Sequence, residues 1–98
     1  MEIRLLTPAQ IELDDAYTYY EQQVSGLGTL FLDQTLDAFK RIKLNPEAWS
    51  PFSDRTRRCL VHKFPYGVVY QIREDEILII AIDHMHRRPE YWKDRIGS

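Results

Sequence analysis

The residues with the most chemistry to offer stand together near the end of the chain: Asp83, His84, Met85, His86, Arg87 and Arg88. His84 and His86 are two apart, and on a strand residues i and i+2 share a face, so both imidazoles could reach one metal ion. A third ligand is missing, because His62 belongs to another strand and Cys59 has the opposite parity to it. Two histidines and a neighbouring carboxylate fall short of a usual ligand set. The pair is therefore read as histidines at a strand end, and neither a metal nor a cofactor is expected. Acid-base cleavage of RNA is a second possibility: it needs a base for the 2'-hydroxyl, a cation for the phosphorane and an acid for the leaving oxygen. His84, Arg87, Arg58 and Tyr91 are the right types. The same residues suit a surface that receives an anionic protein, and the pairs Arg57-Arg58 and Arg87-Arg88 also suit strand edges guarded against aggregation.

Other chemistries find little support. There is no Gly-x-Ser-x-Gly elbow and no glycine-rich phosphate loop among only four glycines, and Cys59 lies mid-strand, where a small core residue is expected. A single cysteine cannot form an internal disulfide. No apolar run approaches the roughly 18 residues of a membrane span, and the start, Met-Glu-Ile-Arg, lacks a signal peptide's basic and apolar regions. A cytoplasmic location and no membrane partner are expected. The net charge of −2 argues against specific DNA binding by this chain alone, since phosphate contacts leave a basic footprint. Charge is unevenly divided, however: residues 1–54 carry a net of −5 and residues 55–98 a net of +3. An acidic partner should meet the second half.

These side chains must be positioned by a single domain, residues 1–98, because 98 residues suffice for one core. The run Ile77-Leu78-Ile79-Ile80-Ala81-Ile82 has no alternation and reads as a strand buried on both faces, the centre of a sheet. Glu2 to Leu6 fits a short first strand. Thr7-Pro8-Ala9-Gln10 announces a helix with Thr7 as N-cap and Gln10 closing a capping box. Leu13, Ala16, Tyr17, Tyr20 and Val24 form its apolar stripe, with Glu12, Asp14, Asp15 and Glu21 on the wet side. Ser25-Gly26 ends it and Gly28 serves a tight turn. A second helix is expected from Thr29 to Leu44, stopped by Asn45-Pro46; so short a link makes the two an antiparallel hairpin. Pro46 to Asp54 reads as a loop pinned by Trp49 and Phe52. Arg57 to Phe64, Val68 to Arg73 and the central strand then form an antiparallel meander through the turn Glu74-Asp75-Glu76. Which face of Arg57–Phe64 meets the helices stays open. The expected architecture is α+β, βααβββ, a helix hairpin on one face of a mostly antiparallel four-stranded sheet whose other face is open to solvent or a partner. Tyr91 and Trp92, the large apolar residues of the charged tail, are expected to be partly exposed.

The order of elements, with Asn45-Pro46, Arg57-Arg58, Phe64-Pro65-Tyr66, Tyr70 and the ending His84-Met85-His86-Arg87-Arg88-Pro89-x-Tyr91-Trp92, resembles the RelE/ParE superfamily of type II toxin-antitoxin toxins, or plasmid stabilisation proteins. The resemblance covers nearly the whole chain. It implies a toxin wrapped and neutralised by a small cognate antitoxin, which would meet Arg57, Arg58, His86, Arg87, Arg88, Tyr91 and Trp92. RelE-like members cut messenger RNA on the ribosome, whereas ParE-like members bind DNA gyrase and are not nucleases. RelE-like nucleases carry an arginine after the tyrosine matching Tyr66, where this chain has Gly67, and of two basic positions on the preceding strand Arg58 is kept while Leu60 replaces the other. A second nuclease pattern, a late-strand histidine with a glutamate after the helices, could be imitated by His84 and Glu47. The departures favour the ParE-like branch and gyrase as target, with a ribosome-dependent endoribonuclease using His84, Arg87 and Arg58 as the alternative. A degenerate, non-toxic member that only binds a partner is the third reading.

Overall fold

The computed structural model describes residues 1–96. Its elements are β1 (Glu2–Leu5), α1 (Thr7–Gln23), α2 (Leu27–Leu44), β2 (Pro51–Ser53), β3 (Thr56–Leu60), β4 (Tyr66–Arg73), β5 (Glu76–His84) and a single 3-10 turn, Lys93–Arg95. The expected α+β class and element order hold, with one addition. Pro51–Ser53, read as loop, pairs antiparallel with β3, so the sheet has five strands in the order β1-β5-β4-β3-β2. Proline is tolerated there because β2 is the edge. No helix among the described residues is long and apolar enough to cross a membrane.

β5 is central, as its composition demands. It pairs antiparallel with β4 and parallel with β1, and residues Ile77 to Asp83 are all buried. Each fully buried isoleucine contributes about 1.5–3 kcal/mol of transfer free energy, which makes this strand the main hydrophobic investment of the fold. Midway it bulges: Val69 pairs with Ala81 and Tyr70 with Ile79, leaving Ile80 as the extra residue. Ile77, Ile79 and Ile82 consequently pack under the helices, while Leu78, Ile80 and Ala81 pack on the second face.

Helix α2 places Phe31, Thr35, Ala38, Phe39 and Ile42 in the core, as its spacing predicts. On β3 the side toward the helices is that of Cys59, and Val61 just beyond it joins the same core with Phe64, whereas Leu60 is 47% exposed. Helix α1 departs from expectation at its start. Leu6 is the N-cap position and no side chain caps it; Thr7 is already helical, and the Gln10 amide donates to Asp14 Oδ1 (3.0 Å) instead of closing a box. Val24 is 62% exposed and lies past the helix end.

The hairpin turn relies on Glu21, which, though partly exposed, makes a capping contact. Its carboxylate accepts the backbone N–H groups of Gly26 and Gly28, both at 2.9 Å, and so replaces an N-cap for α2. These bonds, that from Gly26 foremost, hold its pKa below the ordinary carboxylate value. Gly28 is inside α2 rather than in a turn, and a Cβ there would stand 2.6 Å from the Tyr17 carbonyl oxygen and 2.9 Å from Glu21. Gly28→Ala should therefore lower unfolding stability by about 2 kcal/mol, because backbone must move to admit the methyl group. Urea denaturation checks this, and a change below about 0.5 kcal/mol would remove the close-approach role.

The second sheet face is not left open. Trp92 is 1% exposed and packs with Val69, Leu78, Ile80 and Ala81, joined by Phe52, Tyr91 and Ile96. The expectation of a partly exposed Trp92 is corrected: the tail doubles back across the sheet, and its indole supplies the apolar cover that a second helical layer would otherwise give. Phe52, 5.8 Å from Trp92 between ring centroids, pins the loop to this face, and Trp49 pins it to the other.

Candidate partner-binding surface

The short β1 creates the site. It pairs only with Glu76–Ile79, so the rest of β5 has no neighbouring strand on that side. Unpaired backbone at a sheet edge must find other partners. Side chains provide them. Ile82 N–H donates to Glu12 Oε1 (3.1 Å), and Arg95 Nη1 donates to the Ile80 carbonyl (3.2 Å). Glu12 also accepts from Arg95 Nη1 and Nη2 at 2.9 and 3.0 Å, from Arg87 Nη1 at 3.2 Å and from the Tyr91 hydroxyl at 2.7 Å. The carboxylate of Glu12 thus ties α1, β5 and the tail together through five hydrogen bonds. Arg87 lies over the Tyr91 ring, 3.7 Å from its centroid. Burial first, and the bond to Glu12 second, raise the Tyr91 pKa well above the ordinary phenol value.

Sequence reasoning put Glu12 on the wet side and passed over Arg95. A signal was present: Glu12 stands three residues after Ala9 and four before Ala16, inside the buried arc of α1.

Strand alternation puts Asp83 and His84 on opposite faces, and the bulge at Ile80 decides that His84 takes the helix side. Tyr66 and His84 are paired neighbours whose rings meet edge-on at 4.9 Å on the helix side. Asp83 points to the other face with Arg58, and burial raises its pKa despite that cation. A ligand set of Asp83, His84 and His86 is thereby dissolved, and no group of three His, Cys, Asp or Glu converges among the described residues. His86 instead donates its backbone N–H to His84 Nδ1 at 3.0 Å, so a neutral His84 carries its proton on Nε2.

Arg58 crosses Gly67: a Cβ at Gly67 would stand 2.7 Å from Arg58 Cδ, and the guanidinium stacks 4.1 Å above the Phe52 ring. Arg58 and His84 accordingly occupy opposite faces of the sheet, while Arg87 and Tyr91 are held by Glu12. Arg57 donates to the carbonyls of Glu47 (3.1 Å) and Trp49 (2.7 Å), securing the loop before β2. That leaves Glu47 beside β3, on the order of 15 Å from His84 by strand spacing. His86 and Arg88 are exposed. A groove of about 660 Å³ lies at the opposite end of the sheet, with Arg55, Arg57 and Arg73 against the single carboxylate of Asp54.

Burial, then the charges of His86 and Arg87, lower the His84 pKa below 6.5. The unfolded chain therefore takes up this proton first as pH falls. Stability attributable to His84 is present above the unfolded value, declines through the interval down to the folded pKa, and is constant below both. Between about pH 7.5 and about pH 5, urea denaturation should show a larger loss for the native chain than for His84→Gln. Equal losses would refute this.

Residues 3–89 match the family described as the ParE toxin of type II toxin-antitoxin system, parDE. The chain belongs to that family. Toxin ParE2 of Mycobacterium tuberculosis, matched in two strains, is 29% identical over 91 residues, which span 89% of this chain and 84% of the relative. A solved chain of the chromosomal ParDE TA system from P. aeruginosa superimposes with a TM-score of 0.77 at 18% identity, covering 88% of this chain and 97% of that one. At that identity the likeness carries the fold. Sequence resemblance and family match agree on a ParE-like toxin of a type II toxin-antitoxin system.

Proposed function

We propose that this ParE-family toxin arrests growth by binding DNA gyrase and is neutralised by a small cognate antitoxin. The observation that carries the binding reading is that Arg58 lies across the sheet from His84, while Arg87 and Tyr91, on the His84 side, are engaged by Glu12. Cleavage of RNA needs base, cation and acid around one phosphate. Arg58 and His84 stand on opposite faces, Gly67 brings no cation between them, and Arg87 and Tyr91 are bound to Glu12. The basic groove at Arg55, Arg57 and Arg73 supports an antitoxin with an acidic segment, and Arg58 and Arg88 offer further cations to it, with the exposed His86 as a hydrogen-bonding neighbour. Arg57 also holds the loop before β2, and Trp92 acts by covering the second sheet face.

Purified toxin should inhibit gyrase supercoiling and leave ribosome-bound messenger intact, and co-expression of the product of a short adjoining reading frame should restore growth. Cleavage of messenger without inhibition of gyrase would replace this reading with the nuclease. Inducible expression without growth arrest would replace it with the non-toxic, partner-binding member.

A further inference from the structure

A second cleft, of about 260 Å³, opens on the helix side between α1 and the ends of β4 and β5. Tyr19, Tyr66 and His84 wall it, buried Ala16 and Ile82 close its base, and the exposed Asp15 stands at its mouth. Glu12 and Arg87 also line it, but they are bound to each other at 3.2 Å, and Arg87 is stacked on Tyr91. Glu12 is held by the Arg95 fork as well, so Asp15 is the lining carboxylate without an ion-pair partner among the described residues. Among the described residues, neither Asp15, nor the hydroxyls of Tyr19 and Tyr66, nor His84 Nε2 has a protein hydrogen-bond partner. Burial, then His86 and Arg87, hold the His84 pKa below its ordinary value, which disfavours a cation there.

Aromatic walls with a carboxylate at the mouth recognise a cation by ring quadrupole and ion pairing together. An anion would meet the unpaired Asp15 carboxylate at the mouth and an Arg87 already engaged by Glu12 and stacked on Tyr91. A planar guanidinium suits flat walls and a carboxylate fork better than a compact, strongly hydrated ammonium does. The size admits one side chain, and helix α1, which forms one wall, carries four carboxylates and no Lys or Arg, complementary to a basic segment. We propose that this cleft receives an arginine side chain of a protein partner, its guanidinium stacked on Tyr19 and Tyr66 and paired with Asp15. The site is independent of the target proposed above: a small probe reports its occupancy whether or not gyrase is inhibited.

The test is a titration of the full chain with N-acetyl-arginine amide, followed by aromatic-ring NMR. Ring signals of Tyr19, Tyr66 and His84 should shift saturably, with affinity in the millimolar range expected of one small contact. Asp15→Asn and Tyr19→Ala should each weaken binding on the order of tenfold. Both positions are exposed, and an unchanged near-ultraviolet dichroism spectrum for Asp15→Asn would verify its fold. With the native chain, three results would each overturn the proposal: no saturable shift with the arginine probe, equally tight binding of N-acetyl-lysine amide, or the same shifts produced by inorganic phosphate.

Discussion

Glu12→Ala lowers unfolding stability by about 3 kcal/mol, the expected cost of stripping one member from a partly buried ionic cluster. The Glu12 side chain is only 11% exposed and Arg95 20%, so little water can replace the missing carboxylate. Arg95 loses both bonds of its fork, Arg87 and Tyr91 lose their common acceptor, and the Ile82 N–H is left without its partner. In a domain of this size the midpoint of thermal unfolding should fall by on the order of 15 °C. Glu12→Gln keeps the shape and one acceptor oxygen, so it should lose about half as much. Calorimetry on the two variants measures both effects. If Glu12→Ala moved stability by less than about 0.5 kcal/mol, the cluster would be an exposed network of small worth.

Trp92→Ala should cost about 4 kcal/mol, within the range for deleting a large buried aromatic side chain. Trp92 covers Val69, Leu78, Ile80 and Ala81, and no other described element lies over that part of the sheet. Trp92→Phe should cost far less. Indole Nε1 is buried without a hydrogen-bond partner, so phenylalanine gives up volume but also removes an unsatisfied donor. Urea denaturation of both variants separates the terms. A loss as large for phenylalanine as for alanine would mean that the indole N–H is paired in solution.

What could be read from sequence follows from how local the determinants were. The α2 stripe and the centrality of Ile77–Ile82 are periodic or compositional, and the fold follows them. Arg58, His84, Arg87 and Tyr91 group by residue type, and the fold puts Arg58 across the sheet from His84. Strand parity depends on a bulge set by pairing with β4, which no count along β5 reveals. Glu12 and Arg95 are 83 positions apart, and nothing short of the fold brings them together. Trp92 was misread for a related reason: a charged tail appears solvated until its few apolar residues find a sheet face with nothing else to cover it.

The extra residue in β5 also acts as a change of reading frame within one strand. Before Ile80, odd-numbered positions face the helices; after it, even-numbered positions do. Aligning a relative that lacks the bulge requires a gap at Ile80, and putting that gap a few residues later exchanges the faces of every position it skips. Misplaced beyond His84, it would credit the imidazole with the environment of Asp83, although sequence identity would hardly change. Comparison of site residues across such toxins therefore depends first on where this one residue is placed.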